Sequence, residues 1–309
     1  MPASPTRRLL LAAPLALPAL SLAARAQDRP VTVASKLDTE GAMLGQLIAQ
    51  VLEARKVPVR TRLQLGPTRI LRQAILAGEV DLYPEYTGNG AFFFQEEDNP
   101  AWRRADTAYE RVRSLDAERN KLVWLRPAPA NNSWAIAVRE DLAQRSGLRN
   151  LEDLARLLAQ RNDFKLAASA EFVESPAALP SFQRIYGFSL PPEQLLILPG
   201  GDTAVTMRAA AERLNGVNAA MVYGTDGAIS ALSLRVLEDT KGAQIVYEPA
   251  PVAREDVAQR LPQLQEWLGP VFQSLTLTRL QALNGRIVVE GRPVRDVARE
   301  HLRSLGISG

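Results

Sequence analysis

The stretch Val80–Ala91 reads V-D-L-Y-P-E-Y-T-G-N-G-A. It opens with the short apolar rhythm of a strand, and Pro84, which lacks an N–H, predicts an end to sheet pairing. Aromatic and small hydrogen-bonding residues follow together: Tyr83, Glu85, Tyr86, Thr87 and Asn89. Open α/β sheets hold ligands at the carboxyl ends of their strands, so this stretch is a candidate site. The alternative is a turn with two packed tyrosines.

The residues before this stretch alternate between strand and helix patterns. Val31–Ser35 predicts a strand, and Thr39–Lys56 carries apolar residues at helical spacing. Val57–Leu65 alternates with a period of two, and a second helix is expected to end at Gly78. The resulting β-α-β-α-β order predicts a parallel sheet.

The same rhythm restarts after a break at Pro127, Pro129 and Asn131-Asn132, which predicts a crossing to a second lobe. Strands are expected at Trp134–Val138, Phe164–Ala168, Leu195–Leu198 and Val217–Val222. A second crossing is predicted where a strand over Ile245–Tyr247 meets Pro249 and Pro251, before helices that return to the first lobe. We therefore predict lobe 1 over residues 27–130, lobe 2 over 131–246 and a returning segment over 247–309, with a cleft between the lobes.

The N-terminus has the features of a cleaved signal peptide over residues 1–26. Arg7-Arg8 precedes the apolar run Leu9–Leu22, and Ala24-Arg25-Ala26 fits a cleavage site, with Sec and twin-arginine export both open. The net charge of the chain is 37 − 34 = +3, and the leader holds three arginines and no acids, so the mature chain is neutral. That balance gives no reason to expect a nucleic-acid partner. With no Cys, disulfides and a cysteine-linked lipid anchor are excluded.

Several kinds of catalytic chemistry have no residues to support them. The chain has no Cys and a single histidine, His301, which we expect at the surface. It contains no G-x-S-x-G, Walker or G-x-G-x-x-G motif, so no cofactor or metal is predicted. Gly200-Gly201, before a helix that Asp202 is expected to cap, fits a plain helix start better than an anion site.

Five candidate residues lie at predicted strand ends that face the cleft: Lys36, Tyr86, Trp134, Tyr223 and Tyr247. Four of them are aromatic. A quaternary ammonium cannot donate a hydrogen bond, and aromatic faces attract it by about 0.5–2 kcal/mol per contact. A lysine with hydroxyl and amide groups would suit the carboxylate of a betaine.

The chain resembles the substrate-binding proteins of osmoprotectant ABC importers, which take up glycine betaine, choline and relatives. The resemblance rests on motifs in order along the mature chain: S-K-L-D-T-E at 35–40, L-G-P-T at 65–68, Y-P-E-Y-T-G at 83–88, N-N-S-W at 131–134 and Y-G-T-D-G at 223–227. The run Y-T-G-N-G-A-F-F-F is most similar to the OsmF-type periplasmic branch. The resemblance implies a type II-like periplasmic-binding-protein fold, in which each lobe is a mainly parallel sheet flanked by helices. It also implies a monomer in the periplasm that serves inner-membrane permease subunits with a cytoplasmic ATPase.

The family motifs imply roles for eight residues. Tyr86, Trp134, Tyr223 and Tyr247 match an aromatic box for the trimethylammonium group, with Trp134 in place of a more usual Tyr. Lys36 matches the residue that holds the ligand carboxylate, with Thr87 beside it and Asn89 where the family has a hydroxyl. Ser175 stands where the family has an arginine, and this loss favours weak betaine binding, a ligand without a carboxylate, or another solute. A receptor for an amino acid or polyamine therefore stays open, and an enzyme on the same fold is a remote alternative.

Overall fold

The computed structural model describes residues 29–160, 163–198 and 203–307. The predicted signal peptide, Gly200-Gly201 and the expected cap Asp202 lie outside these ranges.

The chain alternates strands and helices along most of its length. The first part holds β1 (Val31–Lys36), α1 (Thr39–Ala54), β2 (Val59–Gly66), α2 (Thr68–Leu76), β3 (Leu82–Tyr86), α3 (Asn89–Phe93), α4 (Ala105–Asn120) and β4 (Leu122–Trp124). The middle part holds β5 (Trp134–Arg139), α5 (Glu140–Ser146), α6 (Leu151–Leu158), β6 (Leu166–Ser169), α7 (Ala170–Glu174), α8 (Leu179–Tyr186), β7 (Leu195–Leu198), α9 (Thr203–Ala211), β8 (Ala219–Tyr223), α10 (Ala228–Ala231) and β9 (Leu234–Val236). The last part holds β10 (Pro249–Arg254), α11 (Glu255–Arg260), α12 (Leu264–Gln273), α13 (Leu277–Val288) and α14 (Val294–Ser304).

These strands form two five-stranded sheets with the same layout. One sheet has the order β2-β1-β3-β10-β4 and the other β7-β6-β8-β5-β9. In each, one strand runs against the rest: β10 is antiparallel to β3 and β4, and β5 is antiparallel to β8 and β9. We call the first sheet with its helices lobe 1 and the second lobe 2. The structure thus confirms the predicted two-lobed α/β fold, whereas the residue boundaries proposed for the lobes stay a prediction.

The helices after β10 belong to the core of lobe 1. The apolar face of α1, including Leu44, Leu47 and Ile48, is buried in one cluster with Phe272 of α12 and Val297 of α14. Burial of such side chains contributes about 1.5–3 kcal/mol each. The helices that follow β10 are therefore held firmly against the first part of the chain. In the described ranges, no helix has the length and apolarity that crossing a membrane requires.

The sequence-based prediction for Pro84 was wrong. Pro84 does not end sheet pairing, because β3 continues to Tyr86 and its register places Pro84 opposite Pro251 of β10. The Pro251 carbonyl accepts from Leu125 N, on the other side of β10, so this proline pair needs no N–H between its members. Strand β3 pairs with β1 at Leu82 and not at Pro84, so the missing Pro84 N–H interrupts no ladder there.

The predicted strand over Ile245–Tyr247 is also absent, and the strand begins at Pro249. Residues 245–247 instead lie beside the first crossing: Ser133 Oγ donates to the Ile245 carbonyl at 2.7 Å, and Tyr247 N donates to Asn131 Oδ1 at 2.8 Å. The two crossings therefore run side by side. Gly88 lies directly under this segment, where a Cβ atom would come within 2.7 Å of the Val246 carbonyl oxygen.

His301 was expected at the surface, and this is wrong. It is buried on α14, and its Nε2 lies 2.9 Å from Ser274 Oγ. Burial lowers the pKa of this imidazole. Since α14 packs on α1, the residue is part of the core of lobe 1.

Candidate functional site

The four predicted aromatic residues lie near the ends of the two sheets at which their parallel strands terminate. We call this region the edge. Tyr86 ends β3 in lobe 1, and Tyr223 ends β8 in lobe 2. Trp134 begins β5, which runs the other way, and the register pairs it with Tyr223. Tyr247 lies on the second crossing, two residues before the start of β10. Both lobes and the crossings therefore contribute to this edge.

Trp134 and Tyr223 form a stacked pair in lobe 2. Their ring centres are 6.3 Å apart at an interplanar angle of 24°, and Phe172 of α7 meets Trp134 edge-on at 5.9 Å. The indole is thus fixed from behind by a buried ring. Tyr223 is 36% exposed, which leaves part of its surface open.

Tyr247 connects this pair to lobe 1. Burial raises the pKa of Tyr247, and the neighbouring Tyr223 and Glu85 raise it further by electrostatic repulsion of the phenolate. Tyr247 therefore lies within electrostatic reach of a residue from each lobe. No charged partner lowers its pKa, so this phenol stays neutral.

Lys36 lies at the end of β1, on the lobe 1 side. Its Nζ is 4.5 Å from the centre of the Tyr86 ring and 2.5 Å from Glu85 Oε1. The lysine is 7% exposed, and the Glu85 side chain is fully buried. The ammonium predicted to hold a ligand carboxylate is thus already paired with a carboxylate of the protein.

Glu85 lies in the candidate stretch, but sequence reasoning gave it no role in the site. Its Oε1 accepts hydrogen bonds from Lys36 Nζ, from Tyr86 N at 2.7 Å and from Asn89 Nδ2 at 2.7 Å. Its Oε2 accepts from Tyr83 OH at 3.2 Å. Four donors satisfy this buried carboxylate, which fixes the end of β3 and the start of α3.

The other three predicted site residues differ in their burial and in the hydrogen bonds that their side chains already make. Thr87 is fully buried, and its hydroxyl donates to Val246 O at 3.1 Å, so it ties β3 to the second crossing. Asn89 is half-buried, and its amide is directed to Glu85. Ser175 is the residue at the C-terminal cap of α7 in lobe 2 and is half-buried. These three residues belong to different parts of the edge and do not form one cluster.

Glu40 is a second residue that sequence reasoning missed. It lies in the first turn of α1 and is 7% exposed. Its Oε1 accepts from Tyr86 OH at 2.6 Å and Asn132 Nδ2 at 3.2 Å, and its Oε2 accepts from Asn284 Nδ2 at 2.6 Å. Burial raises its pKa to about 7, against hydrogen bonds that favour the charged form. Glu40 ends the motif S-K-L-D-T-E, so the sequence did mark this position. Its role could not be predicted, because its hydrogen-bond partners are far away in sequence.

The chemistry of this edge is suited to a cation. It offers aromatic faces and buried carboxylates, and Lys36, the cation at this edge, is paired. Among the described residues, no group of three or more histidine or acidic side chains could hold a metal ion. A separate cavity of about 480 Å³ lies at the opposite end of the lobe 1 sheet, between Gly78, Lys121 and Arg254.

The chain matches a known family along nearly all of its described length. Residues 29–304 match the family described as the substrate binding domain of ABC-type glycine betaine transport systems. The chain is 55% identical over 290 residues to the glycine betaine-binding protein YehZ of Escherichia coli, covering 94% of this chain and 95% of that protein. It is 32% identical over 302 residues to a glycine-betaine-binding protein of Pseudomonas aeruginosa, covering 96% and 94% of the two chains.

Solved structures agree with this match. Apo YehZ superimposes with a TM-score of 0.86 at 55% identity, over 90% of this chain and 99% of that chain. A glycine betaine/carnitine/choline ABC transporter structure superimposes with a TM-score of 0.78 over 90% and 99% of the chains, and at 19% identity it shows the fold alone. The family is one of receptors that bind small solutes and work with permease subunits, and its members are not enzymes. The chain therefore belongs to the family of substrate-binding domains of ABC-type glycine betaine transport systems.

Proposed function

We propose that this protein captures a quaternary ammonium osmoprotectant, such as glycine betaine or choline, between its lobes and delivers it to an ABC permease. The observation that carries the proposal is the stacked Trp134–Tyr223 pair of lobe 2. Tyr247 lies within electrostatic reach of both Tyr223 and Glu85, and the Tyr86 ring on the lobe 1 side already faces an ammonium group.

The rings supply the attraction for such a cation. Each face contributes about 0.5–2 kcal/mol when it is desolvated, so four faces reach about 2–8 kcal/mol before ordering costs. Glu85 accepts a hydrogen bond from Tyr86 N and Glu40 accepts one from Tyr86 OH, so both carboxylates hold this ring in place. Two relatives that cover nearly the whole chain are named for glycine betaine, which supports this ligand class.

Capture requires the lobes to approach each other around the ligand. Contacts from both lobes favour the closed state by their differential binding energy. We propose that the eight residues given by the family motifs line the closed site, with Lys36, Thr87, Asn89 and Ser175 on the side of the ligand's polar end. We further propose that the signal peptide delivers the protein to the periplasm, where it works as a monomer.

The test is calorimetric titration with glycine betaine, choline, carnitine, an amino acid set and a polyamine. Tyr86→Ala and Trp134→Ala are each expected to abolish binding of the quaternary ammonium ligands. Trp267→Ala is the matched control, because this tryptophan of α12 is only partly buried on lobe 1, beside Arg55. Unchanged affinity in both site variants would exclude the aromatic site, and heat only from amino acids or polyamines would identify another solute class.

A further inference from the structure

Glu40 joins four segments of the chain that are far apart in sequence. Its hydrogen-bond partners are 46, 92 and 244 residues away along the sequence: Tyr86 on β3, Asn132 on the first crossing and Asn284 on α13. A hydrogen bond with the Thr225 side chain of lobe 2 also favours its charged form. All of these groups are donors to the same two oxygen atoms.

Local structure does not explain this residue. An acidic side chain in the first turn of a helix is often there to satisfy free backbone N–H groups. In α1 that task falls to Asp38, whose Oδ1 accepts from Gly41 N at 2.6 Å. The Glu40 carboxylate instead accepts hydrogen bonds from side chains of other segments.

The partners of Glu40 adjoin three of the four proposed aromatic residues. Tyr86 is bound directly through its hydroxyl. Asn132 precedes Trp134 by two residues, and Thr225 follows Tyr223 by two. Asn284 Nδ2 also donates to the Thr225 carbonyl at 3.0 Å, so one amide spans Glu40 and lobe 2.

We propose that Glu40 is a positioning residue that orients the Tyr86 ring of lobe 1 relative to the segments that carry the Trp134 and Tyr223 rings of lobe 2. This inference rests on the proposed function, because it assigns Glu40 to the same aromatic site. The carboxylate does not touch the ligand. It acts through the Tyr86 hydroxyl on one side and through Asn132, Asn284 and Thr225 on the other.

The experiment compares Glu40→Ala, Glu40→Gln, Tyr86→Phe and the double variant E40A/Y86F by calorimetric titration with glycine betaine and with choline. E40A is expected to raise Kd for both ligands about tenfold or more, within the usual range of coupling between sites. Y86F keeps the ring but loses the hydrogen bond, and it is expected to weaken binding in the same direction. The double variant should be no weaker than E40A, because both changes remove one interaction.

The conservative variant separates positioning from simple loss of structure. E40Q keeps the side-chain shape and one acceptor oxygen for Tyr86 OH. The buried amide oxygens Asn132 Oδ1 and Asn284 Oδ1 have no hydrogen-bond partner in the described structure, so rotation of either amide offers an acceptor to the new NH₂ group. We expect E40Q to recover most of the affinity that E40A loses. Glu53→Ala, on the same helix but exposed, is the matched control and should bind as wild type does.

Each outcome decides between the two proposals. Wild-type affinity in E40A, with binding abolished in Y86A, would overturn the positioning role and leave the aromatic site in place. Wild-type affinity in Y86A and W134A would remove the aromatic site itself. If E40A does not fold, Y86F and Asn284→Ala each remove one bond to Glu40, and unchanged Kd in both would equally refute the inference.

Discussion

Lys36 places its ammonium 4.5 Å from the centre of the Tyr86 ring, on the residue that we propose receives the cation of the ligand. The same ammonium is bound to Glu85. The protein thus carries its own cation at this ring, together with a carboxylate that neutralises it. A ligand carboxylate that approaches Lys36 must share it with Glu85.

Removing Lys36 should therefore be costly for the fold. Lys36→Met leaves the buried Glu85 carboxylate without its cation, and loss of one partner of a buried pair costs about 3–5 kcal/mol of unfolding free energy. Chemical denaturation measures this, and K36M/E85Q is expected to recover much of the loss. Arg113→Ala, which breaks an exposed pair with Glu110, is the control and should change stability little. A K36M protein as stable as wild type would contradict the importance of this pair.

Ser175 offers a test of which end of the ligand is poorly recognised. Ser175→Arg restores the charge that the family places here, and a charge-assisted contact of about 1.5–3 kcal/mol corresponds to roughly a 10- to 100-fold gain in affinity. We expect this gain for glycine betaine and not for choline, which has no carboxylate. Calorimetric titration of both ligands measures it, with Ser175→Met as the uncharged control. An equal gain for choline would show that the arginine acts in some other way.

The raised pKa of Glu40 predicts a pH dependence of stability. Burial raises this pKa from 4.5 to about 7 in the folded protein, with a smaller repulsive contribution from Asp38. The folded state then binds more protons than the unfolded state between about pH 4.5 and 7, so the contribution of Glu40 to stability falls as pH rises through this window. The shift corresponds to about 3 kcal/mol over the whole window.

The measurement is the free energy of unfolding of wild type minus that of Glu40→Gln at several pH values. The difference cancels the titration of other groups, among them Glu248, whose pKa burial also raises to about 7. It should decrease between about pH 4.5 and 7 and be level above that range. A difference that does not vary with pH would mean that Glu40 titrates at its ordinary value.

A further prediction concerns the contact between lobe 2 and α13. A Cβ atom on Gly227 would lie 2.3 Å from Gly285 N and 2.4 Å from the Asn284 carbonyl carbon, which are backbone atoms that cannot rotate away. Gly227→Ala is expected to lower the free energy of unfolding by about 1–3 kcal/mol and to weaken ligand binding, since it pushes the Tyr223–Gly227 turn from the helix.

Gly269→Ala on α12 is the matched control for this change. Its Cβ would meet only the end of the Gln265 side chain, which can move, so stability should stay within about 0.5 kcal/mol of wild type. Thermal and chemical denaturation of the two variants, with Kd from calorimetry, decide the matter. Equal behaviour of G227A and G269A would show that the backbone contact is not tight in solution.

Much of the fold could be predicted because local patterns and tertiary structure agree. The strand Leu195–Leu198 has the predicted bounds, since a short apolar run between Gln194 and Pro199 marks it. The prediction that Pro84 ends the strand was wrong. A lone proline does weaken a strand, whereas Pro84 and Pro251 lie opposite each other and leave no donor unpaired between them. Pairing between residues 167 positions apart is not visible in local pattern.

The site could be predicted only in part for the same reason. Three of its aromatic residues, Tyr86, Trp134 and Tyr223, lie at the ends of strands, and strand ends are readable from sequence. The acidic residues behind them are not, because Glu40 and Glu85 owe their roles to partners brought together by the fold. The prediction for His301 was wrong for a related reason: the return of the last helices to lobe 1 was expected, but the sequence does not show that His301 lies on a buried face of α14.

The strand order has a consequence for how this chain is made. Every strand of the lobe 2 sheet lies within residues 134–236, so the five strands are synthesised in one continuous segment. The lobe 1 sheet begins first but lacks its fourth strand until residues 249–254 emerge, and until then β3 and β4 each present an unpaired edge. Domains usually fold in the order of their synthesis. Here the lobe that is translated first is the one whose sheet closes last, so the growing chain carries an open β edge for more than a hundred residues of elongation.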